Sequence, residues 1–323
     1  MRGAVVSRAV PSLPMTVLVR DLRPDDPADA AGFARVRRLA LPYLLFTAES
    51  VRHTALRMHP GARFRPLVAE EDGEVIGTAQ IHLVHDAAEP GQACLNVYVR
   101  PDRAHRGAGR LLVEAGEEYL GSLGATKLFA WVLDEPANRA FAERRGYRPG
   151  RSAHFLRLDL AHGTLPPRPE VPAGVELRTA ADFADDPRPL FALDAETMLD
   201  EPSDVAYALA DYDAWLAETW RHPLLDRELT TVVCADGRPV AFTAAYTDGD
   251  GRYSTAMTGT ARTHRGRGLA KLAKARSLHR AQAAGLTDAF TGNDTGNAPM
   301  IAVNKWLGYQ TCATEVRYVR ELG

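Results

Sequence analysis

The same series of elements can be read twice along this chain, and few folds accommodate that. In the first half TVLVRDL opens as a strand, and a helical region follows from about 28 to 58. RPLVAEEDGEVIGTAQIHLV then reads as strand, turn and strand around Asp72-Gly73, a pair suited to a tight hairpin. ACLNVYV is a further strand that runs into a glycine-bearing stretch and a helix ending near Leu123. KLFAWVL is a strand, ANRAFAERRG a helix and HFLRLDL a final strand. The second half repeats this order: VELRTA as a strand, helices to about His222, then TTVVCADGRPVAFTAAYTD as a hairpin around Asp236-Gly237. RYSTAMTGT follows as a strand, a helix ends near Ala284, and DAFTGN, APMIAVNKWLG and ATEVRYVREL complete the series. A period this long indicates two copies of one α/β domain, not a solenoid. Hairpins combined with strand–helix–strand units make the sheet of each copy mixed.

Length agrees, since 323 residues suit two domains. The proline-rich stretch AHGTLPPRPEVPAG has no periodicity and separates them. The expected organisation is a flexible tail over 1–15 (or an upstream start with Met15 as initiator), a domain over 16–160, a linker over 161–173 and a domain over 174–323. A formal net charge of −2 gives no general attraction to nucleic acid or to an anionic membrane, and neither is expected as a partner. No apolar run is long enough to span a bilayer, and the N-terminal valines are too few and too interrupted for a signal-peptide core. A cytoplasmic location is expected. Cys94, Cys234 and Cys312 lie far apart with no CxxC pair and read as buried apolar residues, without a disulfide framework or a metal site.

Two stretches carry the chemistry: AHRGAGRLLVEA (Ala104–Ala115) and THRGRGLAKLAK (Thr263–Lys274). Each joins a strand to a helix. The first-turn N–H groups of a helix lack internal partners and lie at the positive end of its dipole. Gly266 and Gly268 let a bulky anion approach that backbone, and Arg265, Arg267, Lys271 and Lys274 add charge. A pyrophosphate or phosphate is the natural ligand. The spacing is neither that of a Walker loop nor GxGxxG, so the cofactor is a diphosphate-bearing nucleotide that is not obviously ATP or NAD.

The pattern R/Q-x-x-G-x-G/A opening a helix after a strand resembles the acyl-CoA pyrophosphate loop of the GNAT superfamily of N-acetyltransferases, and THRGRGLA matches it in full. NDTGNAPMIAVNKWLGYQ (Asn293–Gln310) resembles the second strand–helix unit of that family, and FAERRGYRP is a fainter version. The resemblance covers nearly the whole chain as a tandem pair, a plan similar to that of mycothiol synthase and, at least as well, to that of other two-domain acetyltransferases of unknown substrate. It implies two GNAT-like domains, acetyl-CoA as co-substrate and N-acetylation of an amine. Around the cofactor it implies Thr258, Gly259, Thr260, Arg265, Gly266, Arg267, Gly268, Leu269, Ala270, Lys271, Asn293 and Asn297 in the second half. In the first half it implies Val97, Val99, His105, Arg106, Gly107, Ala108, Gly109 and Arg110. Thr258 to Thr260 are the segment whose N–H groups would polarise a thioester.

The halves are unequal. Ala104 stands where Arg265 stands, and Ala142 where the family's usual Tyr stands, so the first half is expected to be structural or regulatory. The second half departs in one place: the usual Tyr is Asn304, an amide that hydrogen-bonds but cannot act as a general acid. Candidate acids for the amine proton or for attracting a cationic substrate are Glu196, Asp200 and Glu201 in LDAETMLDEPSDV, with Asp294, Tyr253 and Ser254 as others; His222, before Pro223, reads as structural. The expected activity is acetyl-CoA-dependent N-acetylation of a primary amine of a small molecule or peptide by the second domain, in a monomer or homodimer. The alternatives are a non-catalytic tandem that binds CoA or a metabolite, and a protein lysine acetyltransferase.

Overall fold

A computed structural model describes residues 16–205 and 209–322, so the tail expected over 1–15 lies outside the described residues. The first half comprises β1 (Leu18–Asp21), α1 (Pro27–Ala40), α2 (Ala48–Arg57), β2 (Arg65–Glu71), β3 (Glu74–Leu83), β4 (Gln92–Val99), α3 (Ala108–Ser122), β5 (Lys127–Leu133), α4 (Pro136–Glu143) and β6 (Arg148–Asp159). The second comprises β7 (Val175–Thr179), α5 (Arg188–Met198), α6 (Tyr212–Trp215), β8 (Leu225–Ala235), β9 (Arg238–Thr247), β10 (Arg252–Thr260), α7 (Leu269–Ala283), β11 (Asp288–Asp294), α8 (Ala298–Leu307) and β12 (Gln310–Glu321). The helical region expected from 28 to 58 is two helices. Pro42 disfavours helix at Leu41, where α1 stops, and a Thr47–Ser50 capping box starts α2.

All twelve strands form one mixed sheet in the order β1-β2-β3-β4-β5-β12-β6-β11-β10-β9-β8-β7. The final strands have changed places. β12, the last strand of the chain, lies between β5 and β6, and β6 pairs along its other edge with β11. Each half therefore completes the other's core: Val316 and Tyr318 of β12 pack with Leu128, Ala130 and Ala142, while Leu156 and Leu158 of β6 pack with Ala289 and Leu307. The connection over 161–173 has no helix or strand but is held in place, with Leu165 buried and the Pro166 carbonyl bonded to His279 Nε2 at 3.0 Å.

Alternation along the strands sorts the helices onto two faces. In the first half α3 covers Leu67, Ala69 and Ile81, and α1 with α2 covers Val68 on the other side. In the second α7 covers Val233 and Ala241, and α5 with α6 covers Val232, Phe242 and Ala244. Among the described residues no helix is long and apolar enough to cross a membrane. Of the three cysteines, Cys94 and Cys234 are buried as expected, but Cys312 is exposed, because it sits near the start of β12 where that strand leaves the core.

Candidate active site

The loop between β10 and α7 exposes its backbone at the start of a helix. Gly266 and Gly268 both have φ of +74°, a left-handed conformation that glycine adopts at little cost. Gly268 is the N-cap of α7 and supplies no side chain to the first-turn N–H groups. A Cβ placed on either glycine would meet nothing within 4 Å, so the space above the loop is open. Residues 265 to 268 are all exposed, and Arg267 has no hydrogen-bond or ion-pair partner among the described residues. Lys271 lies over the Trp306 ring, 3.4 Å from its centroid. Lys274, by contrast, does not reach the loop. Three residues beyond Lys271 it faces the sheet, is fully buried, and sits 3.4 Å from Thr255 Oγ1 and 3.3 Å from Thr291 Oγ1.

Next to the loop the sheet opens. β10 and β11 run parallel only from Arg252↔Asp288 to Thr255↔Thr291. A bulge between Thr255 and Met257 shifts the β10 register against β9, and Ala256 at the bulge is exposed in the middle of the sheet. From there to Thr260 the β11-facing edge of β10 has no strand partner, which leaves backbone polar groups directed into a gap. Gly259 is obligatory on packing grounds: a Cβ there would collide with Thr197 and with Phe242, so its absence lets α5 rest on β10.

The acids singled out from the sequence are mostly occupied. Glu196 Oε1 accepts from the Arg262 backbone N–H at 2.7 Å. Asp200 binds Arg262 at 2.9 Å and Arg265 at 2.5 Å, and these two guanidinium groups hold its carboxyl down to about 2. Both therefore brace the loop. Glu201 is exposed, and Asp294 is bonded to Arg151 at 2.8 Å. Tyr253 is buried on the α7 face with its hydroxyl on Ser277, and Ser254 occupies the adjoining β10 position. His222 stacks on Tyr246 and accepts from the Leu224 N–H, and burial together with His53 lowers it to about 4.

One acid was not singled out. Asp194 lies within the stretch LDAETMLDEPSDV and occupies the buried stripe of α5 with Leu190, Leu193 and Thr197. That i, i+3, i+4, i+7 spacing was the available signal. Its Oδ2 accepts from Trp215 Nε1 at 2.8 Å, its Oδ1 has no partner, and burial raises its pKa against the pull of that bond. Asn297 caps α8 through the Met300 N–H, 3.3 Å away. Asn304 is fully buried and pairs with Asn293, leaving its second amide atom without a partner.

The corresponding gap in the first half is closed by the chain itself. β4 and β5 also part after three rungs, at Cys94↔Phe129, but β4 has no bulge. Asn96 Oδ1 accepts from the Trp131 N–H at 2.9 Å, and the Tyr98 hydroxyl donates to Glu315 Oε1 at 2.6 Å and lies 3.2 Å from the Trp131 carbonyl. Arg37 is fully buried behind them, bonded to Thr78 and to the Asn96 carbonyl. Val97 and Val99 pack into the core. At the loop, His105 takes the left-handed place of Gly266, Gly107 is the N-cap of α3, and Ala108 begins the helix and is buried. Arg103 and Arg106 both bind the buried Glu71, and Arg110 binds Glu114. Gly109 faces Val99 and Phe141 at ordinary contact distance.

The family model of the GNAT acetyltransferases matches residues 33–147 and again 191–309. The mycothiol acetyltransferase of Clavibacter michiganensis subsp. michiganensis is 30% identical over 258 residues, 79% of each chain. That of Nocardia farcinica is 30% identical over 262 residues, 80% of this chain and 83% of its own. In fold, the chain is similar to a tandem GNAT protein from the clavulanic acid biosynthesis pathway, with a TM-score of 0.72 at 21% identity over 95% of this chain and 99% of that one. A GCN5-related N-acetyltransferase from Sphaerobacter thermophilus gives 0.69 at 21% identity over 96% and 97%.

Proposed function

Starting from the fact that this chain belongs to the GNAT acetyltransferase family, we propose that it transfers the acetyl group of acetyl-CoA to a primary amine, and that the second half does the chemistry. One observation carries this reading: in the second half an open anion cradle adjoins an open gap in the sheet, whereas in the first half the chain's own side chains bridge the gap. The fit is one of chemistry. Exposed left-handed glycines, an uncapped helix start and the unpartnered Arg267 suit a pyrophosphate, with Arg265 beside them. The parted strands suit an extended pantetheine arm.

Within that reading Gly266, Arg267, Gly268 and the first turn of α7 through Leu269, Ala270 and Lys271 hold the diphosphate. The N–H groups of Thr258 and Thr260, on either side of Gly259 and directed away from β9, polarise the thioester carbonyl as its oxygen gains charge. Asp194 takes the amine proton, because its buried carboxyl has an unpartnered oxygen and a raised affinity for protons. Glu196 and Asp200 position the loop, and the Asn293–Asn304 pair shapes the far wall of the gap. The similarity to mycothiol acetyltransferases supports a small-molecule acceptor over a peptide. Calorimetry with CoA and a thiol-release screen of amines, amino sugars and peptides test the proposal. Binding without thiol release for any amine would favour a binding module, and activity confined to peptides would favour a lysine acetyltransferase.

A further inference from the structure

Beneath the gap in the second half lies a polar cluster with no counterpart in the first. Six residues after the helix N-caps Gly107 and Gly268 stand Val113 and Lys274, and nine residues after them stand Gly116 and Ser277. Counted from the first rungs, Gln92↔Lys127 and Arg252↔Asp288, the buried Ala93, Leu95 and Ala130 correspond to Tyr253, Thr255 and Thr291. The first half thus shows that this backbone packs well with an apolar floor, through Val113, Leu95, Ala130 and Ala93. Stability gives no reason to bury a lysine there, since an unpaired buried charge is strongly disfavoured. A local rule broken in one copy and kept in the other marks a functional position.

The placement of Lys274 is specific. Its ammonium has three N–H donors. Two point to Thr255 Oγ1 and Thr291 Oγ1, the residues of the last paired rung, beyond which β10 and β11 separate. The Tyr309 ring that follows α8 lies 5.8 Å from Nζ, and Tyr253 of β10 and Ser277 of α7, both buried, bond to each other. Both tyrosines are pushed upward by burial and stay neutral, and no carboxylate pairs with Lys274 among the described residues. Burial alone brings the lysine down to about 7.

We propose that Lys274 is a positioning residue for the leaving thiolate: bound to Thr255 and Thr291 at the apex of the gap, its ammonium sets a positive charge under the cofactor sulfur. This rests on the reading that acetyl-CoA enters the gap between β10 and β11. In the transfer step the amine nitrogen bonds to the acyl carbon, the carbon–sulfur bond breaks with its electron pair on sulfur, and the amine proton passes to Asp194. No tyrosine stands at position 304 to protonate that sulfur, so the field of Lys274 supplies stabilisation that an acid would give elsewhere. The influence is mutual: the thiolate favours the charged lysine, and the charged lysine favours the thiolate.

The test uses the full chain, its K274M and K274Q variants, and CoA as the probe, with bound thiolate followed by ultraviolet absorbance against pH. The bound thiol is expected to titrate at least about one pH unit lower in the wild type than in either variant, a tenfold difference in acidity. CoA affinity measured by calorimetry should change less than about threefold, because the phosphate contacts are elsewhere. Any thiol bound in the first half contributes equally to all three proteins. Identical titrations in wild type and variants would overturn the proposal, and loss of cooperative melting in both variants would assign Lys274 to the fold and overturn it too. Failure of the wild type to bind CoA would instead remove the functional reading on which the inference stands.

Discussion

The two halves of this molecule share one backbone plan and differ in what fills the space between the fourth and fifth strands of each copy. In the first half Asn96 and Tyr98 reach across to both polar groups of Trp131, and Arg37 backs them. In the second a bulge puts the exposed Ala256 in the same region and leaves the edge of β10 unpaired. The loops diverge in parallel: Glu71 ties down Arg103 and Arg106, while Arg267 has no partner. On the proposed function, the gap closed by the chain's own polar groups belongs to the half released from chemistry, and the gap left open at a cost in stability belongs to the half that does it.

The comparison assumes that the halves are distinct in function yet inseparable in fold, and the largest expected effect tests the second part. Residues 16–160 alone lack β12 beside β5, and residues 174–323 alone lack β6 beside β11. Neither fragment is expected to melt cooperatively by circular dichroism or to elute as a monomer, and mixing them should restore cooperative melting in a 1:1 complex the size of the intact chain. A monomeric, cooperatively melting fragment would show that each half can close on its own last strand.

The functional part of the comparison is tested by aspartate in each cradle. At Gly268 the new Cβ has free space, and the left-handed backbone adds about 1 kcal/mol of strain, so the fold should survive. The carboxylate would repel the diphosphate, and turnover should fall by about 10²-fold or more. Gly107→Asp, at the matching N-cap where a Cβ also has free space, should leave turnover within about threefold of wild type, as for a substitution remote from the chemistry. Reversal of the two outcomes would move the active site to the first half.

Asp194→Asn comes next. Burial raises its pKa, so wild-type activity should be lost as pH falls through a value higher than that of an exposed aspartate, where the base becomes protonated. The variant should lose about 10²-fold in kcat, and that limb should disappear. A raised carboxyl also destabilises the folded state above its unfolded pKa, because the native protein holds its proton more tightly. The neutral amide removes that term and can still accept from Trp215, so Tm at neutral pH should not fall. Full activity in the variant would discard Asp194 as base.

The order of elements in both halves was legible in the sequence, and so were the turns that punctuate it. Hairpins at Asp72-Gly73 and Asp236-Gly237 and the loop at Gly266–Gly268 announce themselves through residues that tolerate positive φ, and each is where it was expected. The exchange of β6 and β12 left no such trace, since HFLRLDL and ATEVRYVREL carry the same alternation and their partners are chosen by long-range packing. Lys274 was counted with the loop because Lys271 is, although three residues turn a helix far enough to point it at the sheet. The plug at Asn96 and Tyr98 depends on contacts with β5 and β12 that no spacing within β4 could indicate.

The smallest expected effect concerns a likeness between the halves. Each has an acid on its cradle arginines: Glu71, almost fully buried, in the first, and Asp200, exposed, in the second. An exposed ion pair is worth about 0–1 kcal/mol and gives way readily to a phosphate, whereas breaking a buried one strands a charge. Asp200→Asn should therefore tighten CoA binding by no more than about fivefold, since Arg265 no longer has to be released, and should leave kcat within about twofold. Arg262 remains fixed by Glu196 through its backbone N–H. Asp200 titrates near 2, so it contributes no limb to a pH–rate profile near neutrality, and the profile of the variant should overlay that of the wild type. A roughly hundredfold fall in kcat at unchanged KM would make Asp200 the base after all and would remove the contrast between a locked cradle and an openable one.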